Sequence, residues 1–352
     1  MSKETKKRWL RPVISGLLVI LILLGLQRLL VPKYMGDTPI EGAMIGEYYD
    51  TPKLHDVIFL GDCEVYENIS PVDLWRDYGI SSYVRGSAQQ LTWQSYYLLE
   101  DTLRYETPKA VVFNVQALKT EETESEAYNR MTLDGMAWSL SKVKAIQASM
   151  GEDESMVEYV FPLLRFHSRY SELTKEDFTY FFHRDVISYA GYYMRVDVKA
   201  AGSFPEPRRL SSPSLPENTM EYLDKMRILC KNNGVELILM KAPSLYPHWY
   251  EEWDAQIEAY AAQYGLAYYN FLDVTGEIGL DYSMDTYDGG LHLNLSGAQK
   301  LAEYFGDLLV SRHHLPDRRG EATYQDYWKE QETHYDEGRN KLIEELKKNE
   351  KE

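Results

Sequence analysis

The chain has 352 residues, 44% hydrophobic and 26% charged, enough to bury a sizeable core as one large domain or two ordinary ones. Its formal charge of −17 is uneven: residues 1–35 carry +6 (seven Lys/Arg against Glu4) and the rest carry −23, which argues against nucleic acid as a partner because phosphate contact needs a positive surface. Two cysteines exclude a disulfide-rich scaffold and any zinc site built on several thiolates, and neither a metal nor a cofactor is expected.

In chain order, the basic residues 1–11 precede an apolar segment, 12–32, about long enough to cross a bilayer. Arg28 lies near its far end, where a long side chain reaches the headgroups. Five Lys/Arg before the span predict a cytoplasmic N-terminus and an acidic body outside the cell, a single-pass topology. The competing reading, a cleaved signal peptide, lacks a small-x-small cleavage site after the run. Residues 33–53 contain Pro, Gly and Asp and read as a linker.

Five short apolar runs follow: Val57–Leu60, Ser82–Val84, Ala110–Val115, Val235–Met240 and Ala267–Phe271. They are nearly continuous in apolar residues rather than alternating, as in a parallel sheet covered on both faces. Helix-like stretches at Gln90–Arg104, Met220–Asn232, Trp249–Tyr264 and Ala298–Leu309 alternate with them, which implies a doubly wound α/β domain over 54–118 and 217–315. Residues 119–216 are too long for a loop and read as a helical insertion, a cap with helices at Ala127–Met150 and Met156–Phe166. The tail, 316–352, is charged and helix-prone and reads as a solvated helix.

In such a sheet, ligands bind beyond the carboxyl ends of the strands. Those ends carry Gly61-Asp62-Cys63, Arg85-Gly86-Ser87, Phe113-Asn114-Val115-Gln116 and Lys241-Ala242-Pro243-Ser244, and Asp288-Gly289-Gly290-Leu291-His292 precedes the last helix. Asp62, Lys241, Ser244 and His248 flank these ends and are candidates for substrate contact, although Asp62 reads first as a turn or capping residue. Cys230 falls on the apolar face of a helix and reads as core. A Cys63–Cys230 disulfide is disfavoured because the two are expected in different surroundings, a sheet edge and a helix packing face.

The ordered blocks resemble the SGNH/GDSL hydrolase superfamily, over roughly residues 55–310 outside the insertion. The resemblance implies a flavodoxin-like α/β/α sandwich with a five-stranded parallel sheet. It places Cys63 at the nucleophile, where the family has Ser, Gly86 and Asn114 at the oxyanion hole, and His292 at the base. The family's acid lies three residues before its His. Here that position is Gly289, so the third member is open: Asp288, Asp285 or a backbone carbonyl. A thiolate generated by a neighbouring base is a strong nucleophile.

The anchor and insertion look most like envelope-modifying members, of the kind that D-alanylate teichoic acid or O-acetylate alginate. The expectation is therefore a membrane-anchored acyltransferase or esterase that moves an acetyl or D-alanyl group on a cell-envelope polymer. By resemblance its partners are that polymer or an acyl donor, and a multi-pass membrane-bound O-acyltransferase. The competing expectation is a degenerate SGNH domain that binds polymer or scaffolds an envelope complex.

Overall fold

A computed structural model describes residues 3–32, 41–184, 186–210 and 212–349. In chain order the elements are α1 (Lys3–Leu30), α2 (Glu41–Glu47), β1 (Val57–Gly61), α3 (Cys63–Tyr66), α4 (Pro71–Tyr78), β2 (Ser82–Gly86), α5 (Thr92–Thr102) and β3 (Ala110–Asn114). Then come α6 (Glu126–Leu133), α7 (Leu140–Ser149), α8 (Met156–Val160), α9 (Leu163–Phe166), α10 (Lys175–Phe182), α11 (Glu217–Asn232) and β4 (Glu236–Lys241). The chain finishes with α12 (Glu251–Tyr264), β5 (Ala267–Asn270), α13 (Thr275–Ile278), α14 (Leu295–Ser311) and α15 (Ala322–Asn349).

The five strands form one parallel sheet in the order β2-β1-β3-β4-β5, the flavodoxin-like arrangement. All five predicted strands are present: β1, β2 and β3 are buried throughout and β4 beyond Glu236, while the edge strand β5 is half-buried. Val57 and Phe59 of β1 belong to a core that includes Leu74, Leu301, Phe305 and Leu309. Ile58 and Leu60, equally buried, face the opposite side by strand alternation. Helices α4 and α14 pack together on one side, while α5 and α11 pack together on the other. Edge strand β2 is covered by the turn at Tyr189–Tyr192, whose Ala190 carbonyl accepts the Val84 N–H at 3.0 Å. That contact satisfies an otherwise open edge.

The chain divides into two compact units: residues 1–40 with 150–186, and residues 41–149 with 187–352. The stretch read as one insertion is therefore shared between them. Its predicted helices are also shorter: Ala127–Met150 breaks between Leu133 and Leu140, and Met156–Phe166 breaks at Pro162, which cannot continue a helix. In the first unit α1 contains a 19-residue stretch, Pro12–Leu30, long and apolar enough to span a membrane.

Two expectations are corrected in the α/β unit. The linker holds a helix, α2, with Met44 and Ile45 buried and the Glu47 carboxylate accepting from Ile187 N–H (2.8 Å) and Ser188; its residues 33–40 lie outside the described ones. The tail helix α15 is not merely solvated. Its Trp328 is fully buried, stacks on Trp75 and donates to Ser81 Oγ at 3.0 Å, while Tyr335 donates to Asp73 at 2.6 Å.

Candidate active site

The first feature is the turn that ends β1. Gly61 has φ +155°, and a Cβ there would lie 2.4 Å from the Val65 side chain, so only glycine permits the bend. Asp62 then caps α3 by accepting the Glu64 N–H at 3.2 Å, and Cys63 becomes the first residue of that helix. The thiol is free and half-buried. It sits at the carboxyl end of β1, beside the boundary with β3 where the strand order reverses, the place where sheets of this kind bind ligands.

The second feature is the loop before α14. His292 Nδ1 lies 2.7 Å from Asp288 Oδ2, and Asp288 Oδ1 accepts the backbone N–H of His292 (2.9 Å) and Leu291 (3.2 Å). Gly289 and Gly290, at φ +90° and +103°, turn the chain so that Asp288 and His292, four residues apart, face one another. Thr286 Oγ1 ties the loop by donating to the His292 carbonyl (2.8 Å) and accepting the Gly290 N–H (2.7 Å). The other acid considered, Asp285, is buried against Lys300 (2.5 Å) and accepts the Asp281 N–H. Asp288, not Asp285, is thus the residue that orients His292.

These two features lie close enough to act on one another: the His292 charge favours the Cys63 thiolate, and the thiolate in turn favours the imidazolium. With Nδ1 on Asp288, the other ring nitrogen is the one left for sulfur. A second carboxylate, Glu67, lies 3.5 Å from Nδ1 and accepts from the Tyr287 hydroxyl, whose ring lies nearly parallel to the imidazole. Burial pushes the Cys63 thiol up to about 12, partly offset by His292. Burial also opposes the imidazolium, but the Cys63 and Glu67 charges and the Asp288 hydrogen bond outweigh it and hold His292 well above its ordinary value. Burial raises Glu67, whereas Asp288 is lowered because its bond and charge contact with His292 exceed the cost of burial.

The groups beneath the thiol are more constrained than the sequence suggested. Gly86 is buried, paired in register with Gly61, and a Cβ there would lie 3.0 Å from the Gly61 carbonyl oxygen. Asn114 is fully buried; its Nδ2 donates to Glu64 (3.0 Å) and Asp62 (3.3 Å), and its Oδ1 accepts the Ala242 N–H. Asp62 is held at about 6 by burial and by the nearby Glu64 charge.

Lys241 is corrected as a substrate contact. Its ammonium is buried on both Glu64 oxygens (3.1 and 2.9 Å) and the Ala242 carbonyl (2.8 Å), so the three N–H donors have partners. Ser244 is likewise buried, accepting from Asn68 at 3.4 Å. His248 is exposed with its ring edge-on to Tyr250. Cys230 is buried on α11, and its thiol is free.

Glu64, Glu67 and Tyr287 escaped the sequence reading. Glu67 stands four residues after Cys63, within reach of the same turn, and Tyr287 adjoins Asp288; that spacing was the available signal. No family model matches the chain, and no curated protein matches its sequence. A solved structure described as a GDSL-like lipase from Bacteroides thetaiotaomicron aligns with 75% of this chain and 94% of its own, at 13% identity and a TM-score of 0.34.

Proposed function

We propose that this chain is an SGNH-like acyltransferase or esterase working through Cys63, His292 and Asp288. The observation that carries the reading is the Asp288–His292 hydrogen bond (2.7 Å), with the Cys63 thiol near enough for its charge to shift the imidazole. The reactive state is the pair holding one proton between sulfur and imidazole. The thiolate attacks an ester carbonyl, the C–O bond breaks, and His292 gives the proton to the leaving alcohol. In transfer, an acceptor hydroxyl loses its proton to His292, attacks the thioester and releases the thiolate. Water taking the acceptor's place gives hydrolysis. The Cys63 and Gly86 N–H groups and the Asn114 amide are the oxyanion donors; Asn114 joins by exchanging its longer bond, to Asp62, for the substrate oxygen.

With α1 as a membrane anchor, the body lies outside the cell, and the substrate is an acetyl or D-alanyl ester of an envelope glycan or teichoic-acid-like polymer. A multi-pass O-acyltransferase is the natural supplier of such an acyl group. His248, exposed just past β4, is the candidate for substrate contact on that side. One observation favours a second reading, a binding domain without catalysis: both Asn114 amide protons rest on carboxylates. Incubating the full chain in detergent with an aryl acetate separates the two. Release of aryl alcohol that disappears in Cys63→Ala supports the enzyme, with free acetate marking hydrolysis and acetylated glycan marking transfer. Equal background release by both proteins would favour the binding domain.

A further inference from the structure

The unit formed by the N-terminal helix and residues 150–186 has an unusual surface. Among the described residues, eight large apolar side chains are exposed within Val157–Val186, against nine in the whole α/β unit. They include Phe161, Leu164, Tyr170, Phe178 and Phe182, the last 82% exposed. A concentration of this kind marks an interaction surface.

The same segment is fastened to the outer end of α1. Helices α9 and α10 pack on α1, Arg169 donates to the Leu30 carbonyl (3.2 Å), and the Arg28 guanidinium lies over the Phe181 ring. Arg169 also forms a two-pronged pair with the buried Asp177 (2.8 and 3.0 Å), whose carboxylate accepts the Thr174 N–H and so starts α10. At 1.5 Å per residue the 19-residue span Pro12–Leu30 is about 28 Å long, close to the thickness of the hydrocarbon core. Leu30 therefore falls at the outer boundary, and the short helices attached there lie at headgroup depth. Along α1, residues 12–24 are exposed throughout, and from Gly25 to Leu30 partly or fully buried positions alternate with the exposed Leu26 and Arg28. The cover thus reaches down about 8 Å, within the depth to which interfacial helices sink.

We infer that residues 156–186 form a lipid-facing collar that lies in the outer leaflet around the exit of α1. The inference rests on reading α1 as a membrane span. The segment is nearly neutral, with four Lys/Arg against five Asp/Glu over 157–186, so insertion of aromatic and aliphatic side chains drives it, without need of anionic lipid. Aromatic residues suit this depth because their rings are at home at the headgroup level.

The test uses the full chain in phosphatidylcholine vesicles with Cys63→Ala and one nitroxide at a time, on Leu21→Cys, Phe161→Cys, Phe182→Cys or Leu140→Cys. Leu140, exposed in the α/β unit, is the aqueous reference, and Cys230 is buried. Collision with oxygen relative to a water-soluble nickel chelate should be several-fold higher at Leu21, Phe161 and Phe182 than at Leu140, and unchanged by high salt. If Leu21 is lipid-like while Phe161 and Phe182 match Leu140, the collar fails and the anchor stands. If Leu21 matches Leu140 as well, the anchor reading itself fails. Labels at 161 and 182 shielded from both reagents would overturn the collar in favour of a protein cover.

Discussion

Glu67→Gln isolates one carboxylate charge that acts on both His292 and Cys63. The Glu67 carboxylate lies 3.5 Å from His292 Nδ1 and raises both His292 and Cys63. A unit charge at that distance is worth about 1 kcal/mol in water and about 5 kcal/mol at an effective dielectric of 20, or roughly 1–3 pH units for the group it faces. Glutamine keeps an oxygen for the Tyr287 hydroxyl and removes only the charge. Because Glu67 raises both members, its loss moves both downward, and the pair reaches its one-proton state at lower pH. Cys63 alkylation by iodoacetamide, followed by intact mass across pH 5–11, should therefore have its midpoint about 1–2 units lower in the variant. Modification near neutral pH should be faster. A midpoint that stays in place or rises would refute this electrostatic argument.

Three further outcomes follow from neighbouring groups. Asp288→Asn removes the acceptor that holds His292 and should lower the rate of thiol acylation by about 10²–10⁴ while thermal stability changes little, as read from the pre-steady-state burst. Asp62 has a raised folded-state value of about 6 against an ordinary 3.8, so its ionisation costs stability as pH rises from about 4 through 6. Asp62→Asn should then be more stable than the wild type above pH 7 by up to about 3 kcal/mol, with the difference vanishing below pH 4, in denaturant titrations at several pH values. Lys241→Met leaves Glu64 buried without its counter-charge and should cost about 3–5 kcal/mol, much of it recovered in Lys241→Met with Glu64→Leu, measured as a double-mutant cycle.

The sheet was legible because buried parallel strands are written as short apolar runs, and Val57–Gly61 or Ala110–Asn114 admit little else. The expectation that Cys63 and His292 share one edge of the sheet came from the order of their blocks, one ending β1 and the other preceding α14. What stayed hidden depends on contacts distant in sequence. Glu64 meets Lys241 across 177 positions and Tyr287 meets Glu67 across 220, and no local pattern encodes either pairing. Lys241 looked like a substrate contact because a lysine at a strand end is usually solvated; its partner lies on another element. The C-terminal helix misled for a related reason: its charged composition conceals a stripe at Trp328 and Tyr335 that only the α4 surface explains. The break at Pro162, by contrast, was in plain view in the sequence.

The most direct test of the central claim is covalent trapping. The full-length chain is mixed with a small acyl ester, quenched in acid within seconds, and weighed intact beside Cys63→Ala and His292→Ala. A thioester-linked acyl enzyme adds one acyl mass to the wild type, maps to the peptide carrying Cys63, is lost on hydroxylamine treatment, and is absent from Cys63→Ala. An unmodified wild type at every pH up to 10, or an adduct that persists in Cys63→Ala, would contradict Cys63 as the nucleophile.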